Sequence, residues 1–510
     1  MTSSIQYKGD VAALMARLGA KQLNTDINLT SIDCLGLTED SRNISKDCLF
    51  IARPGLQSDG RRYIHQATAN GALAILCELE LIEKFAQVSN CSIPVYAIEN
   101  LAQEIGKLSA DFYQNPSYAL TVVGVTGTNG KTSCTQLLSR VVDNLGKKAA
   151  VMGTLGNGPV NDLQETKNTT LDAITLQGYL ADFKDSDIEL VAMEVSSHAL
   201  MQGRVNAVDF NCALFTNLTR DHLDYHGDMD SYASAKKQLL TKACLEAVII
   251  NADDAIGAKF IQAPEITAKK YSFSITPINA RAADNSVWTE AVSFHDAGID
   301  ADIVTPWGEI EFKTSMIGQF NLSNCLAVIT TLGTMGYSVK DVAKELAIMP
   351  FVKGRMESFG GDDKPLVIVD YAHTPDALKH VLQALRPHAN HNLWCVVGCG
   401  GDRDKGKRSE MAAIAESLAD KLVFTSDNPR GESIEDIIND MLTGLNEPSD
   451  CCVEYSRELA IKNSISSAVL GDVVLVAGKG HEKVQVIGSE EIPFSDEVVV
   501  TQALNRGSWK

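Results

Sequence analysis

The sequence has little of what marks membrane or secreted proteins. Among its 510 residues no segment approaches 18 continuous apolar residues, so no transmembrane helix is predicted. Residues 1–8 contain no apolar segment of the kind that a secretory signal requires. We therefore expect a soluble, cytoplasmic protein.

Basic charge and zinc-type cysteine pairs are also scarce. The formal net charge is −20 at pH 7, whereas nonspecific binding to nucleic acid or to an anionic membrane depends on a basic surface. The twelve cysteines include no Cys-x-x-Cys pair, and Cys395 and Cys399 have no second pair or histidine set at zinc spacing. We expect no nucleic acid, no membrane and no structural zinc as a partner, and we predict a monomer.

The segment Thr121–Thr132, TVVGVTGTNGKT, is the most informative part of the chain. A β-branched apolar run leads into glycines and then into an amphipathic helix, which predicts a strand, a tight turn and a helix N-terminus. Backbone N–H groups and the helix dipole make such a turn a phosphate cradle. Lys131 would contact the β- and γ-phosphates, and Thr132 would offer its hydroxyl to Mg²⁺. The usual phosphate-loop pattern requires a glycine at position 125, but this chain has valine there. The alternative to phosphate binding is a glycine turn that only packing requires.

Chain length and element order predict three domains. A chain of 510 residues is too long for one hydrophobic core. Apolar runs alternate with helical segments from about residue 101, and the pattern restarts near residue 350, which predicts α/β domains with mainly parallel sheets. We predict a small α/β domain over residues 1–100, a central phosphate-loop domain with a parallel sheet over 101–350, and a doubly wound, Rossmann-like domain over 351–510.

Nearly every unusual polar cluster follows the carboxyl end of a predicted strand. Ligands bind at that edge in open α/β sheets, so we predict that these clusters contain the functional residues. The clusters are Gly127–Thr132, Glu194–His198, Asn217–His226, Asp370–His373, Gly398–Arg408, Asp427–Arg430 and Gly478–Glu482.

The clusters of the central domain allow a functional and a structural interpretation. Glu194 could complete Mg²⁺ coordination beside Thr132, or it could be a surface carboxylate at the end of a strand. The two histidines, two aspartates and one arginine of residues 216–226 favour a metal or phosphate role. Lys236 and Lys237, taken by themselves, indicate the solvated face of a helix.

The carboxyl-terminal clusters contain both cations and carboxylates. Residues 398–408 concentrate four cations after a strand, and they match a dinucleotide-binding loop only loosely, because Arg403 stands where the last glycine is required. Because such a loop binds dinucleotides, this segment leaves a nicotinamide-dependent enzyme as an alternative function. Arg430 and Glu482, in two further loops, together suit a zwitterionic ligand that carries an amine and a carboxylate.

Six segments are characteristic when they are taken together: Gly127–Thr132, Glu194–His198, Arg220–Asp224, Gly318–Asn324, Gly354–Arg355 and Asp370–Thr374. This set resembles that of the Mur ligases, which are ATP-dependent, amide-forming enzymes of peptidoglycan precursor synthesis. The resemblance extends over the whole chain. Asp40–Arg42 and Asp59–Tyr63 are similar to the nucleotide-sugar-binding domain of the member that adds the third amino acid. Asp427–Arg430 resembles the segment with which that member selects meso-diaminopimelate.

The resemblance implies which residues hold the substrates. ATP would be bound by Gly127, Thr128, Asn129, Gly130, Lys131, Thr132, Ser133, Asn321, Arg355 and Asp370. The UDP-sugar peptide would be bound by Glu39, Ser41, Leu56, Gln57, Ser58, Asn168, Thr169, Thr170, Ser196, Gln202 and Arg204. The incoming amino acid would be bound by Arg403, Asp427, Asn428, Pro429, Arg430, Gly478 and Glu482.

The resemblance also implies a reaction and its catalytic residues. Mg²⁺ would be held by Thr132, Glu194, His222 and Lys236, the last of them modified to N6-carboxylysine. Lys131 and Arg355 complete the implied catalytic set. The D-glutamate side-chain carboxylate of UDP-N-acetylmuramoyl-L-alanyl-D-glutamate would attack the γ-phosphate of ATP. The amine of meso-diaminopimelate would then displace phosphate from the acyl phosphate.

Three alternatives to this activity are open. A Mur ligase that adds L-lysine would use a different third amino acid. A folylpolyglutamate synthase would share the phosphate loop, but it should lack the first domain and the segment Asp427–Arg430. A nonenzymatic nucleotide switch would need only the loop and the Mg²⁺ ligands, which leaves Arg403, Arg430 and Glu482 unexplained.

Overall fold

The computed structural model describes residues 7–24, 32–55, 58–85, 88, 90–166, 168–277, 285–295, 298–349, 356–361 and 363–506, without the side chains of His295 and Arg506. Leu56, Gln57, Gly354 and Arg355, which the sequence analysis assigns to the family motifs or the binding sites, lie outside these residues. The chain folds as two compact units, of which the first comprises residues 1–126, 142–214 and 234–248 and the second comprises 127–141, 215–233 and 249–510. The three domain boundaries stay a prediction.

The amino-terminal part of the first unit contains a five-stranded sheet. The strands of this region are β1 (Gly9–Asp10), β2 (Lys21–Gln22), β3 (Asp33–Cys34), β4 (Gly36–Thr38), β5 (Cys48–Ala52), β6 (Ala74–Glu78) and β7 (Val95–Ile98). Strands β1 and β3 pair with each other outside the five-stranded sheet. The helices are α1 (Val11–Leu18), α2 (Ile64–Ala69) and α3 (Leu101–Phe112). The order in the sheet is β2-β7-β6-β5-β4, with β4 to β7 parallel and β2 antiparallel to β7. Strands β5 and β6 are buried throughout, as their continuous apolar runs predict.

The central sheet has ten strands among the described residues. They are β8 (Thr121–Thr126), β9 (Ala149–Gly153), β10 (Gly156–Gly158), β11 (Leu190–Glu194), β12 (Cys212–Phe215), β13 (Ala247–Asn251), β14 (Lys269–Ser274), β15 (Ser286–His295), β16 (Gly298–Thr305) and β17 (Gly308–Thr314). Their order is β10-β9-β11-β8-β12-β13-β14-β15-β16-β17. Strand β11 is parallel to both β8 and β9, whereas β10, β16 and β17 pair antiparallel with their neighbours.

Helices follow most of these strands. They are α4 (Lys131–Asn144), α5 (Ala173–Asp185), α6 (Ser197–Met201), α7 (Leu223–His226), α8 (Met229–Leu240), α9 (Ala255–Gln262), α10 (Gln319–Thr334) and α11 (Val339–Ala347). The sequence analysis did not predict the antiparallel strands β15 to β17. Along β17, Ile310 and Phe312 are buried while Glu309 and Glu311 are exposed. A search for continuous apolar runs overlooks such a strand, because only one of its faces is covered.

The carboxyl-terminal sheet has six strands in the order β18-β19-β23-β20-β21-β22, and β19 to β23 are mutually parallel. The strands of this region are β18 (Glu357–Gly361), β19 (Lys364–Asp370), β20 (Leu393–Val397), β21 (Lys421–Phe424), β22 (Cys451–Val453) and β23 (Val473–Ala477), with a hairpin of β24 (Val484–Ile487) and β25 (Glu490–Pro493). The helices are α12 (Pro375–Leu385), α13 (Gly406–Leu418), α14 (Ile434–Leu442), α15 (Arg457–Ser467) and α16 (Asp496–Arg506).

Side chains of the inner strands pack alternately on the two faces of this sheet. Ile368 belongs to one core together with residues of α12, α13 and α14, whereas Val367 and Val369 belong to a second core with residues of α15 and α16. Helices therefore cover both faces of a mainly parallel sheet, which is the doubly wound architecture. The predicted α/β fold class is confirmed. No helix among the described residues is long and apolar enough to cross a membrane.

Candidate active site

The phosphate loop is a tight turn between β8 and α4. Gly127 and Gly130 have positive φ angles of 149° and 84°, which favour glycine. A Cβ atom at Gly127 would lie 1.9 Å from Thr216 Oγ1, so no side chain fits there. The Lys131 ammonium donates hydrogen bonds to the carbonyl oxygens of Gly127 and Thr128, at 2.8 and 2.7 Å. The loop thus combines a cation with a helix N-terminus, which is the arrangement that binds phosphate.

The segment that follows β12 holds the phosphate loop in shape. Thr128 N donates to Asn217 O at 2.9 Å, and Asn129 N donates to Asn217 Oδ1 at 2.9 Å. Thr216 Oγ1 donates to Asn129 O at 2.6 Å, and Thr219 N donates to Thr128 Oγ1 at 3.0 Å. The first residues of the 216–226 cluster therefore hold the phosphate loop in position. The sequence analysis gave the whole cluster a metal or phosphate role and did not predict this structural one.

Four of the nucleotide contacts predicted outside the turn itself lie among the described residues, and all four are buried. Thr132 and Ser133 lie in the first turn of α4, and Asn321 lies near the beginning of α10. Asp370 ends β19, and its Oδ2 accepts a hydrogen bond from Met356 N at 2.7 Å. These four predicted residues occupy a helix start or a strand end, which is the edge at which open α/β sheets bind ligands.

Asn324 is a residue of this region that the sequence analysis quoted within a motif but did not assign to a site. Its Oδ1 lies 3.4 Å from Cys134 Sγ, and it would lie 2.8 Å from a Cβ atom at Gly130. Helix α10 therefore contacts the phosphate loop through Asn324. Only the close approach in space reveals this role, since the two residues are far apart in the chain.

Tyr232 connects two histidines to the phosphate loop. Its ring centroid lies 5.0 Å from that of His226 and 6.1 Å from that of His222, the predicted metal ligand. The hydroxyls of Tyr232 and Thr128 are 3.3 Å apart. Burial raises the pKa of Tyr232, so the phenol stays protonated at neutral pH. His222 Nε2 lies 3.4 Å from Asp221 Oδ2. The sequence analysis missed Tyr232, because one tyrosine in a helix gives no functional signal.

Glu194 is a buried carboxylate at the end of β11, with a relative exposure of 1%. Its Oε1 accepts a hydrogen bond from Thr154 N at 2.8 Å, and its Oε2 lies 3.2 Å from Thr154 Oγ1. A Cβ atom at Gly153 would lie 2.2 Å from Glu194 Oε1, so any larger residue at this position would displace the carboxylate. The interpretation of Glu194 as a surface carboxylate is therefore wrong, and Gly153 and Thr154 are partners that no sequence motif indicated.

The residues around the end of β11 form a second polar group in the first unit. Thr170 Oγ1 donates to Glu194 O at 2.8 Å and accepts from Ser196 N at 3.0 Å. Thr169 Oγ1 lies 3.1 Å from Thr154 Oγ1. Three residues predicted to hold the UDP-sugar peptide are thus joined to the predicted Mg²⁺ ligand.

A cavity of about 120 Å³ in the first unit collects four of the predicted UDP-sugar residues. Glu39, Asn168, Gln202 and Arg204 line it together with Arg53, which the sequence analysis did not single out. Arg53 forms an ion pair with Glu39, through Nε to Oε1 and Nη2 to Oε2. The guanidinium of Arg204 contacts Gln202 Oε1 at 2.6 and 2.9 Å. Two guanidinium groups therefore border a polar cavity in an otherwise acidic protein.

Two further first-domain predictions do not line this cavity. Ser41 is buried, and its hydroxyl donates to Gln66 Oε1 at 2.9 Å. Ser58 is exposed, and its carbonyl accepts from Gly55 N at 2.8 Å. Ser41 and Ser58 thus have local partners and are not part of the lining that Arg204 contributes to.

Lys236 is almost completely buried in α8, with a relative exposure of 1%, whereas its neighbour Lys237 is half-buried. The interpretation of both lysines as a solvated helix face is therefore wrong for Lys236. The helix turns by about 100° per residue, so adjacent lysines point in different directions. Burying a charged ammonium costs free energy. A buried lysine is therefore expected to be modified or to be paired with an anion.

The predicted amino-acid site lies where β21 and β23 end. A Cβ atom at Gly478, whose φ angle is 117°, would lie 2.6 Å from Asp427 Oδ2, so the two loops approach each other closely. Asn428 Nδ2 donates to Glu482 Oε2 at 2.8 Å. The structure therefore brings together Asp427, Asn428, Gly478 and Glu482, which come from two separate segments of the sequence.

Arg430 is half-buried and adopts the left-handed conformation, with a φ angle of 50°. Its backbone is fixed by β24, because Arg430 N donates to Val486 O at 3.1 Å. Its Nη1 donates to Gly401 O at 2.9 Å and to Asn428 O at 3.4 Å. No carboxylate of the described residues forms an ion pair with Arg430, and its Nε and Nη2 donate to no described acceptor. An arginine with an open edge can bind a carboxylate through two parallel hydrogen bonds, and backbone strain of this kind clusters at ligand-binding sites.

The four cations of residues 398–408 have different surroundings. Arg408 is buried and contacts Glu432 and Asp440, each at 2.8 Å, and Lys405 contacts Glu432 at 3.0 Å. Hydrogen bonds from Arg408 and Lys405 lower the pKa of Glu432 to about 2. Lys407 donates to a backbone carbonyl at 3.0 Å. Arg403 is exposed and forms no ion pair with a described residue. Arg403 is therefore the member of this segment best suited to a ligand.

The donor chemistry of the predicted Mg²⁺ ligands is consistent with that ion. No three His, Cys, Asp or Glu side chains of the described residues are grouped so as to hold a metal. The predicted ligands are instead the hydroxyl of Thr132, the carboxylate of Glu194, the imidazole of His222 and Lys236. Hydroxyl and carboxylate oxygens suit the hard Mg²⁺ ion. An ammonium would repel the ion, whereas a carbamate on Lys236 would supply an anionic oxygen.

Comparisons with known proteins agree with this fold and these motifs. Residues 125–332 match the Mur ligase middle domain, residues 354–480 match the Mur ligase glutamate ligase domain, and residues 35–113 match the Mur ligase family catalytic domain. The UDP-N-acetylmuramoyl-L-alanyl-D-glutamate–2,6-diaminopimelate ligase of Pseudomonas aeruginosa is 45% identical over 474 residues, which cover 93% of this chain and 95% of that protein. The chain therefore belongs to the Mur ligase family, and it is a ligase.

Two solved structures extend the comparison. The structure of a UDP-N-acetylmuramoyl-L-alanyl-D-glutamate–2,6-diaminopimelate ligase is 34% identical, has a TM-score of 0.67 and covers 94% of this chain and 97% of its own. A folylpolyglutamate synthase of Mycobacterium tuberculosis, solved with ADP, shares the fold with a TM-score of 0.60 and 16% identity, and covers 74% of this chain and 92% of its own. The predicted family, fold and enzyme class are confirmed, while the residue assignments stay predictions.

Proposed function

We propose that this protein is an ATP-dependent ligase that joins meso-2,6-diaminopimelate to the D-glutamate side-chain carboxylate of UDP-N-acetylmuramoyl-L-alanyl-D-glutamate, in peptidoglycan precursor synthesis. The similarity to the Pseudomonas aeruginosa enzyme supports the reaction. The observation that carries the choice of amino acid is the open edge of the Arg430 guanidinium beside the Asn428–Glu482 pair. We further propose that the protein acts in the cytoplasm, where its nucleotide substrates are available.

The side chains have separate tasks in this reaction. Lys131 and the N–H groups of the phosphate loop hold the phosphates of ATP and stabilise the charge that develops on the γ-phosphoryl group. Asn321, Asp370 and Arg355 are the proposed contacts to the rest of the nucleotide. Mg²⁺, when it is bound, neutralises phosphate charge, and Thr132, Glu194, His222 and Lys236 would hold it.

The first unit orients the acceptor. Arg204, Gln202, Asn168 and the Thr170–Ser196 group hold the UDP-sugar dipeptide so that its D-glutamate carboxylate attacks the γ-phosphorus, which releases ADP and forms an acyl phosphate. The amine of diaminopimelate then attacks the acyl carbon, and phosphate leaves from the tetrahedral intermediate. Positioning is the main contribution, because reacting groups held in the correct geometry avoid the entropy loss of a bimolecular encounter.

An assay of ADP release tests this function directly. We expect ADP release over many turnovers only when ATP, the UDP-sugar dipeptide and meso-diaminopimelate are all present, with a tripeptide product of matching mass, because without the amine the acyl phosphate is not converted to product. A folylpolyglutamate synthase would instead require a folate and glutamate, and a nucleotide switch would hydrolyse ATP without either substrate. Sustained release of ADP in the absence of diaminopimelate, or with L-lysine in its place at a similar rate, would contradict the proposal.

Arg430 provides a test of the amino-acid choice. Arg430→Ala is expected to raise the KM for diaminopimelate by about 100-fold, because the open fork binds the distal carboxylate that lysine lacks. That factor corresponds to about 2.7 kcal/mol. Arg430→Lys keeps the charge but not the two parallel donors, so we expect an intermediate KM. The KM values for ATP and for the UDP-sugar dipeptide serve as internal controls and should stay within about twofold of wild type. An unchanged KM for diaminopimelate in Arg430→Ala would refute the role.

A further inference from the structure

Lys479 is a completely buried lysine inside the proposed amino-acid site. Its relative exposure is 0%, and it directly follows Gly478 at the end of β23. The ammonium donates to Asn428 Oδ1 at 2.8 Å and to Glu482 Oε2 at 2.6 Å. A charge in such a position is tolerated only when it is paired and hydrogen-bonded. No family motif quoted above assigns this lysine a function.

The contacts of Lys479 determine which atoms of its partners are left for a ligand. Asn428 Oδ1 also accepts from Val486 N at 3.0 Å, and Asn428 Nδ2 donates to Glu482 Oε2 at 2.8 Å. The amide of Asn428 is therefore held at both ends. Glu482 Oε2 accepts two hydrogen bonds, whereas Glu482 Oε1 accepts none from the described residues. The Glu482 side chain is 27% exposed, so Oε1 is the atom of this group that remains for an external donor.

The same network reaches the proposed carboxylate-binding group. Arg430 Nη1 donates to the backbone oxygen of Asn428 at 3.4 Å. Asn428 thus contacts Lys479 through its side chain and Arg430 through its backbone. A zwitterionic amino acid needs an anion for its ammonium group and a cation for its carboxylate at a fixed separation. Asn428 contacts both candidates, the carboxylate of Glu482 and the guanidinium of Arg430.

We propose that Lys479 is a positioning residue that holds Glu482 with Oε1 free for an ammonium group of the incoming amino acid. Lys479 itself does not touch the substrate. The inference rests on the proposed function, because it assumes that a zwitterionic amino acid binds between Glu482 and Arg430. Lys479 neutralises part of the Glu482 charge and fixes its rotamer, so the site is formed before the amino acid binds.

Lys479→Met tests this role. We expect the KM for diaminopimelate to rise about tenfold or more, with kcat and the KM values for ATP and the UDP-sugar dipeptide changed by no more than about twofold. Lys483→Met is the matched control, since it removes the same charge from the exposed position next to Glu482 and should leave every constant near wild type. An equal rise of all three KM values in Lys479→Met would show a general structural defect and would overturn the proposal.

A double-variant cycle tests whether Lys479 acts on amino-acid binding through Glu482 or independently of it. If Lys479 acts through Glu482, Lys479→Met should cause no further rise in the KM for diaminopimelate when Glu482 is already replaced by glutamine. Effects that multiply would overturn the proposal. The comparison also remains available if Lys479→Met alone does not fold, because Glu482→Gln removes the half-buried charge that the methionine would leave without its cation. If the wild type used another amino acid, the proposed function would fail, while the same cycle with that amino acid would still test Lys479.

Discussion

Lys131→Ala is expected to lower kcat by about 10²- to 10³-fold or more while the fold stays intact. The reason is electrostatic, because an ammonium aimed at the developing phosphoryl charge contributes more in the transition state than in the ground state. The loop should keep its shape, since Thr216, Asn217 and Thr219 hold it through contacts that do not involve Lys131. ADP release at saturating substrates measures kcat, and thermal unfolding of the same preparation measures stability.

Lys147→Ala is a suitable control for this experiment. Lys147 lies just beyond the end of α4, and its half-exposed ammonium is 3.4 Å from the half-exposed carboxylate of Glu189. Exposed ion pairs of this kind contribute little, about 0–1 kcal/mol, so kcat should stay close to wild type. A folded Lys131→Ala enzyme with wild-type turnover would disprove the assignment of Gly127–Thr132 to phosphate binding.

Lys236→Ala is expected to be nearly inactive and to regain part of its activity when a small carboxylate such as formate or acetate is added. A carbamate forms when the neutral amine attacks CO₂ and loses a proton, and this step converts a buried cation into an anion that suits Mg²⁺. Alanine removes the anion and leaves space that a small carboxylate can occupy. ADP release measured over a series of carboxylate concentrations gives the degree of rescue.

The modification itself has a readout that does not depend on activity. Wild-type protein equilibrated with ¹³C-bicarbonate should show a carbamate carbon signal in its NMR spectrum, and Lys236→Ala should lack it. Lys237→Ala is the control, because it removes the adjacent, half-buried lysine, and it should keep both the signal and the activity. Full activity of Lys236→Ala, or of wild-type enzyme that lacks the carbamate signal, would exclude this role, and loss of both in Lys237→Ala would move it to that residue.

Elements with strong local signals were predictable from the sequence. Thr374 caps helix α12, its hydroxyl accepting from Ala377 N at 3.3 Å, and the helix buries Leu378, Val381, Leu382 and Leu385. The cap, the proline in the first turn and the spacing of the apolar residues all lie within one short segment. The same holds for buried strands such as β5 and β23, each of which is one continuous apolar run in the sequence.

The environment of single charged residues was not predictable in the same way. Arg403 and Arg408 belong to one cluster, yet Arg403 is exposed and Arg408 is buried between Glu432 and Asp440. Lys236 and Lys237 are adjacent, yet Lys236 alone is almost completely buried. Which of two neighbouring cations is enclosed depends on how a helix or loop packs against elements distant in sequence, and local spacing does not contain that information.

The sequence by itself determined the phosphate loop, the positions of polar clusters at strand ends and the Mur ligase family, because glycine conformation, apolar runs and motif residues are local properties of the chain. Only the tertiary structure decided which atoms are open to a ligand. The free edge of Arg430, the free Oε1 of Glu482 and the burial of Lys479 follow from contacts among the loops after β20, β21 and β23. Those loops meet because parallel strands place their carboxyl ends along one edge of the sheet, and the hydrogen bonds formed there leave these groups available.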